Sequence, residues 1–377
     1  MKVLHLIDSG GLYGAEKMLL ALVKAQLDQG LEPMILSAGE PGIEEKPLES
    51  EARRLGLPVI PWRMKPGLNI RESRKILKWA ISNGYHILHS HGFKFNVLLG
   101  SYPRLLRRIP MVATLHGYVH ARKFSKMWFY ELLDRFAITF LQGVVLVGES
   151  MRVELPAGLS TSSKVQVISN GLDVESIDRQ GMMPLARQVE EFISTHSPIV
   201  LGIGRLSKEK GFDRLVGAFR SVCDRFENAG LVIVGEGRLR NNLEANVQQL
   251  GLKERVLMPG YCNNVPALLR RSNLLVVPSV TEGLPIVLLE AMAQKLPVLV
   301  SPVGEMPEVL GFGKGGVILS GDFDCSMLAS YITKALQDAQ SAHRVDWSVE
   351  KVRVDYSIAT TERSYRDLYT AVCGGMK

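Results

Sequence analysis

Short apolar runs recur along this chain, and longer segments of helical periodicity stand between them. KVLHLID (2–8) is followed by AEKMLLALVKAQLDQG (15–30), whose apolar residues return at helical spacing before a closing glycine. Further runs lie at 32–38, 57–62, 86–92, 111–117 and 143–149. A strand without polar alternation is covered on both faces, so repeated strand–helix units predict a parallel sheet between two helical layers. The pattern weakens over 174–198, which reads as a connector with a short helix. It then resumes at 198–205, 229–237, 255–261, 274–279, 296–301 and 315–320. The expectation is an α/β protein of two doubly wound, Rossmann-like domains facing a central cleft: 1–180 and 198–356, with a lone helix at 357–377 after the second series. The length agrees, because 377 residues exceed what one hydrophobic core usually serves.

The rest of the composition narrows the class. Apolar residues make up 46% and charged residues 22%, ordinary for a globular chain. Asp8 breaks the first apolar run, which argues against a secretory signal, and no run of 18 apolar residues predicts a membrane span. The four cysteines form no Cys-x-x-Cys pair, which argues against a zinc site or disulfide framework and fits a reducing cytosol. A net charge of +7 favours anionic partners without specifying them.

Open parallel sheets bind ligands beyond the carboxyl ends of their strands. That rule selects Ser9–Gly14, His91–Lys94, His116, Arg205–Gly211, Gly235–Gly237 and Thr281–Gly283. SGGLYGAEKML (9–19) has three glycines before a helix, which suits close approach to a ligand or a plain tight turn; it lacks the G-x-G-x-x-G spacing of a dinucleotide site. GRLSKEKGFDRL (204–215) follows a strand with Arg205, Lys208 and Lys210, and Gly211 opens a helix. Fixed cations at a helix N-terminus suit a diphosphate, against the alternative of a solvated basic loop. PSVTEGLPIVLLEAMA (278–293) sets Glu282 in the loop after a strand and Glu290 inside an apolar helix expected to start near Leu284. Glu290 can accept hydrogen bonds from two vicinal hydroxyls, such as those of a ribose, or pair with an internal arginine.

Together with VISNGLD and VIVGEGRLRNNLEA, these segments resemble the family 4 retaining glycosyltransferases (glycosyl transferases group 1), in order and over essentially the whole chain. The resemblance implies the GT-B fold, with an acceptor-binding first domain, a donor-binding second domain and a final helix that crosses back to the first. It implies that Arg205 and Lys210 grip the donor diphosphate, Glu290 binds ribose and Glu282 reads sugar hydroxyls. Gly283, Leu284 and Pro285 would offer backbone amides, and Gly235, Gly237 and Tyr261 would enclose the base. Gly10 and Gly11 would lie under the diphosphate and acceptor, and His116 beside the donor sugar. Glu305 departs from the pattern, standing where a second glycine usually follows Gly304, and Gly148 stands where serine is common.

The function implied is transfer of a sugar, with retention, from a nucleoside-diphosphate sugar to a hydroxyl of a glycan or lipid-linked acceptor, in cell-envelope polysaccharide or lipopolysaccharide synthesis. A soluble acceptor and a catalytically inactive GT-B scaffold are the alternatives. Neither a metal nor another cofactor is expected, nor nucleic acid as partner. HILHSHG (86–92) sends His86 opposite to His89 and His91, which argues against a three-histidine metal site. Asp322-Phe323-Asp324 precedes a helix and reads as its cap. Between Lys94 and Arg135, eight Lys/Arg stand against two acids and are interleaved with aromatics. A cytoplasmic protein, peripheral at the inner face of the membrane through Arg107, Arg108, Arg122, Lys123 and Lys126, is the corresponding expectation, against helices that are amphipathic only because they pack on the sheet.

Overall fold

The computed structural model describes residues 1–8, 10–12, 14–116 and 124–374, without the side chains of Lys126 and Met127. It divides into two compact units, Met1–Gly171 with Ile358–Lys377, and Leu172–Ser357.

Among the described residues the first unit holds seven parallel strands: β1 (Lys2–Ile7), β2 (Glu32–Gly39), β3 (Val59–Arg63), β4 (Ile87–Ser90), β5 (Met111–Leu115), β6 (Gly143–Leu146) and β7 (Val165–Val167). Their order is β3-β2-β1-β4-β5-β6-β7, so the winding reverses between β1 and β4. Strands β4, β5 and β6 are buried along their whole length, as apolar runs covered on both faces must be. Sequence periodicity does not show β7, because its three residues include the exposed Gln166. The helix Ile358–Gly374 buries Tyr365, Leu368 and Tyr369 against a core that includes Val3, Met18, Leu22 and Val112. The last segment of the chain thus completes the sheet domain that the first segment begins.

The second unit holds, among the described residues, β8 (Ile199–Ile203), β9 (Gly230–Val234), β10 (Val256–Gly260), β11 (Leu274–Val277), β12 (Val298–Val300) and β13 (Val317–Ile318). All pair in parallel in the order β10-β9-β8-β11-β12-β13, with the reversal between β8 and β11. Two large apolar clusters form its core. Residues 174–198, expected as a connector with a short helix, hold more than that. They include the helices Val174–Gly181 and Arg187–Thr195, which bury Ile177 and Val189 in this unit's core.

Candidate functional site

The reversal between β8 and β11 opens the crevice in which a doubly wound sheet binds its ligand. The two loops there touch. Gly211 has φ +67°, and a Cβ on it would stand 2.3 Å from the Pro278 carbonyl oxygen, so only glycine lets the β8 loop lie on the β11 loop. Val280 N donates to Glu209 O (2.8 Å), and Arg214 donates to Pro278 O (2.8 Å). Clamped in this way, the Lys210 ammonium pairs with the Glu282 carboxylate, and Ser279 Oγ donates to the same carboxylate oxygen at 3.0 Å. Arg205 is exposed, and its guanidinium has no hydrogen bond or ion pair among the described residues. The 14-residue helix Phe212–Arg225 starts at Gly211 without a side-chain cap, so its N-terminus is open to an anion.

The other expected donor-site residues lie around these loops. Glu290 is half-buried on the helix Ile286–Ala293, between buried Leu289 and Ala291. That helix begins two residues later than expected, with Pro285 as its N-cap. Proline has no N–H, and the Pro285 carbonyl already accepts from Leu288 N at 3.0 Å, so only Gly283 and Leu284 of the expected trio can offer amides. A Cβ at Gly283 would meet nothing within 4 Å, so packing does not explain its glycine. Packing does explain Gly235 and Gly237, where a Cβ would stand 1.9 Å from Gly204 O and 2.3 Å from Leu206 O. Tyr261, just past β10, is 73% exposed. Glu305 fits its loop, because its backbone N–H donates to Gly283 O at 3.2 Å. Asp324 caps its helix as expected, accepting from Met327 N at 2.7 Å.

At the matching reversal of the first unit, Asp8 follows β1 and its carboxylate lies between Lys46 (3.4 Å) and Lys94 (2.7 Å). Gly10 is exposed, and a Cβ there would meet nothing within 4 Å; Gly11 is buried. Ser9 lies outside the described residues. His116 directly follows β5.

Sequence reasoning missed the contents of this sheet's core. His86 is indeed separated from His89 and His91, but β1 brings His5 into register with His89. His5 Nδ1 lies 3.0 Å from His91 Nε2, and His5 Nε2 lies 2.8 Å from Gln26 Oε1. His89 Nδ1 lies 2.6 Å from Tyr369 Oη, and its Nε2 2.8 Å from Thr114 Oγ1. The clue was a histidine inside an apolar strand run, where a buried imidazole needs a partner. Burial pushes His5 and His116 down to about 4, and His89 and His91 well below the usual histidine range. All four are therefore neutral at pH 7. His5, His89 and His91 each offer a ligand atom within 4.8 Å of the others, a grouping that could hold a metal. Five of their six ring nitrogens, however, are committed to protein partners. The sixth, His91 Nδ1, and also His116 Nε2, are buried without a partner among the described residues. Leaving such atoms unsatisfied costs roughly 1–3 kcal/mol each.

The expected lipid-facing cations are in part corrected. Arg107 is fully buried, donating to Ile109 O, Leu99 O, Gly100 O and Gln142 Oε1, so it braces the chain and cannot reach a surface. Arg122 and Lys123 lie outside the described residues, as does the Lys126 side chain. Arg108 is exposed. The helix Lys126–Ala137 and its surroundings expose Phe124, Phe129, Leu132, Phe136, Phe140 and Val153, so its apolar residues do not all serve packing on the sheet. No helix among the described residues is long and apolar enough to cross a membrane.

Two doubly wound parallel sheets, the second with cationic and carboxylate loops at its reversal, define an α/β protein of the GT-B type. The model of glycosyl transferases group 1 matches residues 187–351, and that of glycosyltransferase family 4 matches residues 13–176. The chain belongs to this family. An uncharacterised glycosyltransferase of Methanocaldococcus jannaschii is 28% identical over 62% of this chain, which spans 62% of that protein's length. The UDP-Gal:alpha-D-GlcNAc-diphosphoundecaprenol alpha-1,3-galactosyltransferase of Escherichia coli is 29% identical over 68% of each chain. HepE of Anabaena, solved in complex with UDP, superposes with a TM-score of 0.82 over 98% of this chain and 100% of its own, at 19% identity, a likeness of fold.

Proposed function

We propose that this chain transfers a sugar, with retention, from a nucleoside-diphosphate sugar to a hydroxyl of a glycan or lipid-linked acceptor in cell-envelope polysaccharide or lipopolysaccharide synthesis. The carrying observation is the joined pair of loops after β8 and β11, where an exposed Arg205, a Lys210–Glu282 pair and an open helix N-terminus share one crevice. Breaking the anomeric bond puts negative charge on the diphosphate and positive charge on the sugar ring. Arg205, Lys210 and the helix N-terminus meet the first charge. A diphosphate that draws Lys210 to itself frees Glu282 to accept hydrogen bonds from sugar hydroxyls. Glu290 then holds the ribose, with Gly235, Gly237 and Tyr261 around the base and the Gly283 and Leu284 amides on sugar and phosphate. In the first domain, Gly10 and Gly11 back the diphosphate and acceptor, and His116, neutral at pH 7, contacts the sugar. Attack comes from the face the leaving group departs, and the departing phosphate takes the acceptor's proton. No step calls for a metal.

The E. coli relative acts, by its name, from UDP-galactose onto a diphosphoundecaprenol-linked sugar, and the Anabaena structure holds UDP. Both put UDP-sugars first in a test, and the E. coli relative puts lipid-linked acceptors first. The purified chain is melted with UDP, GDP, ADP and their sugars, and nucleotide release from each sugar is followed by chromatography. A ligand at 100 times its Kd adds about 2.7 kcal/mol of stability. Stabilisation and release with one nucleotide series are expected. Binding without release or transfer identifies an inactive scaffold, and no binding refutes the proposal. The cytoplasmic, peripheral-membrane reading is supported by the exposed Phe129, Phe136 and Phe140, with Arg135 lining the same groove as Phe136. Failure of the chain to co-sediment with anionic vesicles refutes it and favours a soluble acceptor, and co-sedimentation that survives Phe129→Asp with Phe136→Asp removes these aromatics from the contact.

A further inference from the structure

We propose that His91 Nδ1 is the hydrogen-bond acceptor for a sugar hydroxyl at the carboxyl end of the first sheet, and that a buried relay from the closing helix holds it in that role. The assignment rests on the glycosyl-transfer reading for the kind of ligand, but not for the chemistry of the ring.

The relay fixes where each proton sits. Gln26 Nε2 faces Tyr369 Oη (3.5 Å), which turns Gln26 Oε1 toward His5 Nε2 at 2.8 Å. A carbonyl oxygen only accepts, so His5 carries its proton on Nε2. His5 is neutral, so its Nδ1 is a lone pair, and His91 Nε2, 3.0 Å away, must donate to it. His91 is neutral too, which leaves its Nδ1 as a bare acceptor. The branch on the other side agrees. Tyr369 accepts from Gln26 and so donates to His89 Nδ1 (2.6 Å); His89 Nε2 donates to Thr114 Oγ1 (2.8 Å), and Thr114 donates to Tyr365 Oη (2.8 Å). Every contact then joins one donor to one acceptor, and none conflicts.

The atom at the end of this chain has no donor. His91 is 7% exposed, its Nδ1 is buried, and nothing among the described residues bonds to it. The neighbouring ring, His116, stacks on it with centroids 6.0 Å apart and an angle of 27°, and leaves its own Nε2 unpartnered. Both rings stand where β4 and β5 end, the side of a parallel sheet on which ligands bind. A fixed, neutral, acceptor-only nitrogen selects a hydrogen-bond donor and gives no favourable contact to a phosphate or carboxylate. With the glycosyl-transfer reading, the matching chemical class is a carbohydrate hydroxyl, from the donor sugar or from the acceptor.

The whole chain, labelled with 15N in histidine, is read by long-range proton–nitrogen NMR. His91 is expected to carry its proton on Nε2 and none on Nδ1. UDP-glucose and GDP-mannose form the donor arm; free glucose and N-acetylglucosamine form the acceptor arm. The Nδ1 resonance should move toward the hydrogen-bonded position in the arm that supplies the hydroxyl. A response to a free sugar without any nucleotide binding supports the proposal while refuting the transfer reading. A proton on Nδ1, or no response in either arm, overturns the proposal. Two variants separate binding from bracing. In His91→Asn the side-chain oxygen takes the Nδ1 position, whereas in His91→Gln the amide keeps the contact to His5 and leaves the Nδ1 position empty. His91→Asn should hold the half-saturating concentration of the responding sugar within about threefold, and His91→Gln should raise it about tenfold, the scale of one lost hydrogen bond. The reverse order marks His91 as a structural residue and overturns the proposal.

Discussion

Arg205→Ala and Lys210→Ala remove one cation each from the same crevice, yet the structure separates their consequences. Arg205 is exposed, its guanidinium makes no hydrogen bond or ion pair among the described residues, and its charge acts on Glu209 only through solvent, so its removal should change stability by no more than about 0.5 kcal/mol. Lys210 is paired with Glu282, and their side chains are 22% and 11% exposed. Removing it leaves a largely buried carboxylate whose remaining hydrogen-bond donor among the described residues is Ser279 Oγ at 3.0 Å. A fully buried pair broken on one side costs about 3–5 kcal/mol, and the residual exposure and the serine reduce this to about 1–2 kcal/mol. For a unit of this size that is a fall in Tm of about 2–8 °C. Turnover should fall in both variants by roughly a hundredfold or more, because each loses a contact that strengthens as the diphosphate gains charge. Glu282→Gln added to Lys210→Ala should recover about 1 kcal/mol of the lost stability and none of the activity, since it neutralises the stranded carboxylate. Thermal melts and initial rates at saturating donor sugar measure both quantities. Near wild-type turnover in Arg205→Ala refutes the phosphate assignment, and equal melting of the two single variants refutes the energetic one.

Glu290→Gln should weaken nucleoside diphosphate binding even without a sugar, whereas Glu282→Gln should mainly lower turnover and sugar discrimination; equal loss of nucleotide affinity in calorimetric titration removes that division. His116→Ala should reduce turnover and leave nucleotide affinity near wild type, and a large affinity loss marks the residue as structural. Stability should fall as pH drops from about 6.5 to 4. In that window the unfolded chain protonates its histidines while His5 and His116, held at about 4, stay neutral, so the unfolded state binds more protons; each contributes up to about 3 kcal/mol, fully lost below pH 4. A melting temperature that is flat from pH 7 to pH 4.5 contradicts this.

The sequence alone determined the two sheet domains and the loops that carry chemistry. Strands covered on both faces need consecutive apolar residues, so KVLHLI and LLVV announce themselves locally. Residues just beyond them fall at strand ends whatever the packing, which made Arg205, Lys210, Glu282 and His116 legible. Only the tertiary structure decided what those residues touch. Lys210 and Glu282 are 72 positions apart and meet because β8 and β11 lie side by side at the reversal. Arg107 looks like its basic neighbours in sequence, and only its burial removes it from the surface. Gly235 and Gly237 resemble ligand-enclosing glycines, but the carbonyls that exclude a Cβ there come from the neighbouring β8 loop. His5 gave one faint signal, and its partners Gln26, His91 and, through Gln26, Tyr369 come from two helices and the loop just past β4, the farthest in the closing helix. Periodicity reports which face of an element is buried. The partner on that face is set by strand order and by the return of the closing helix, through contacts between residues distant in sequence that no local pattern encodes.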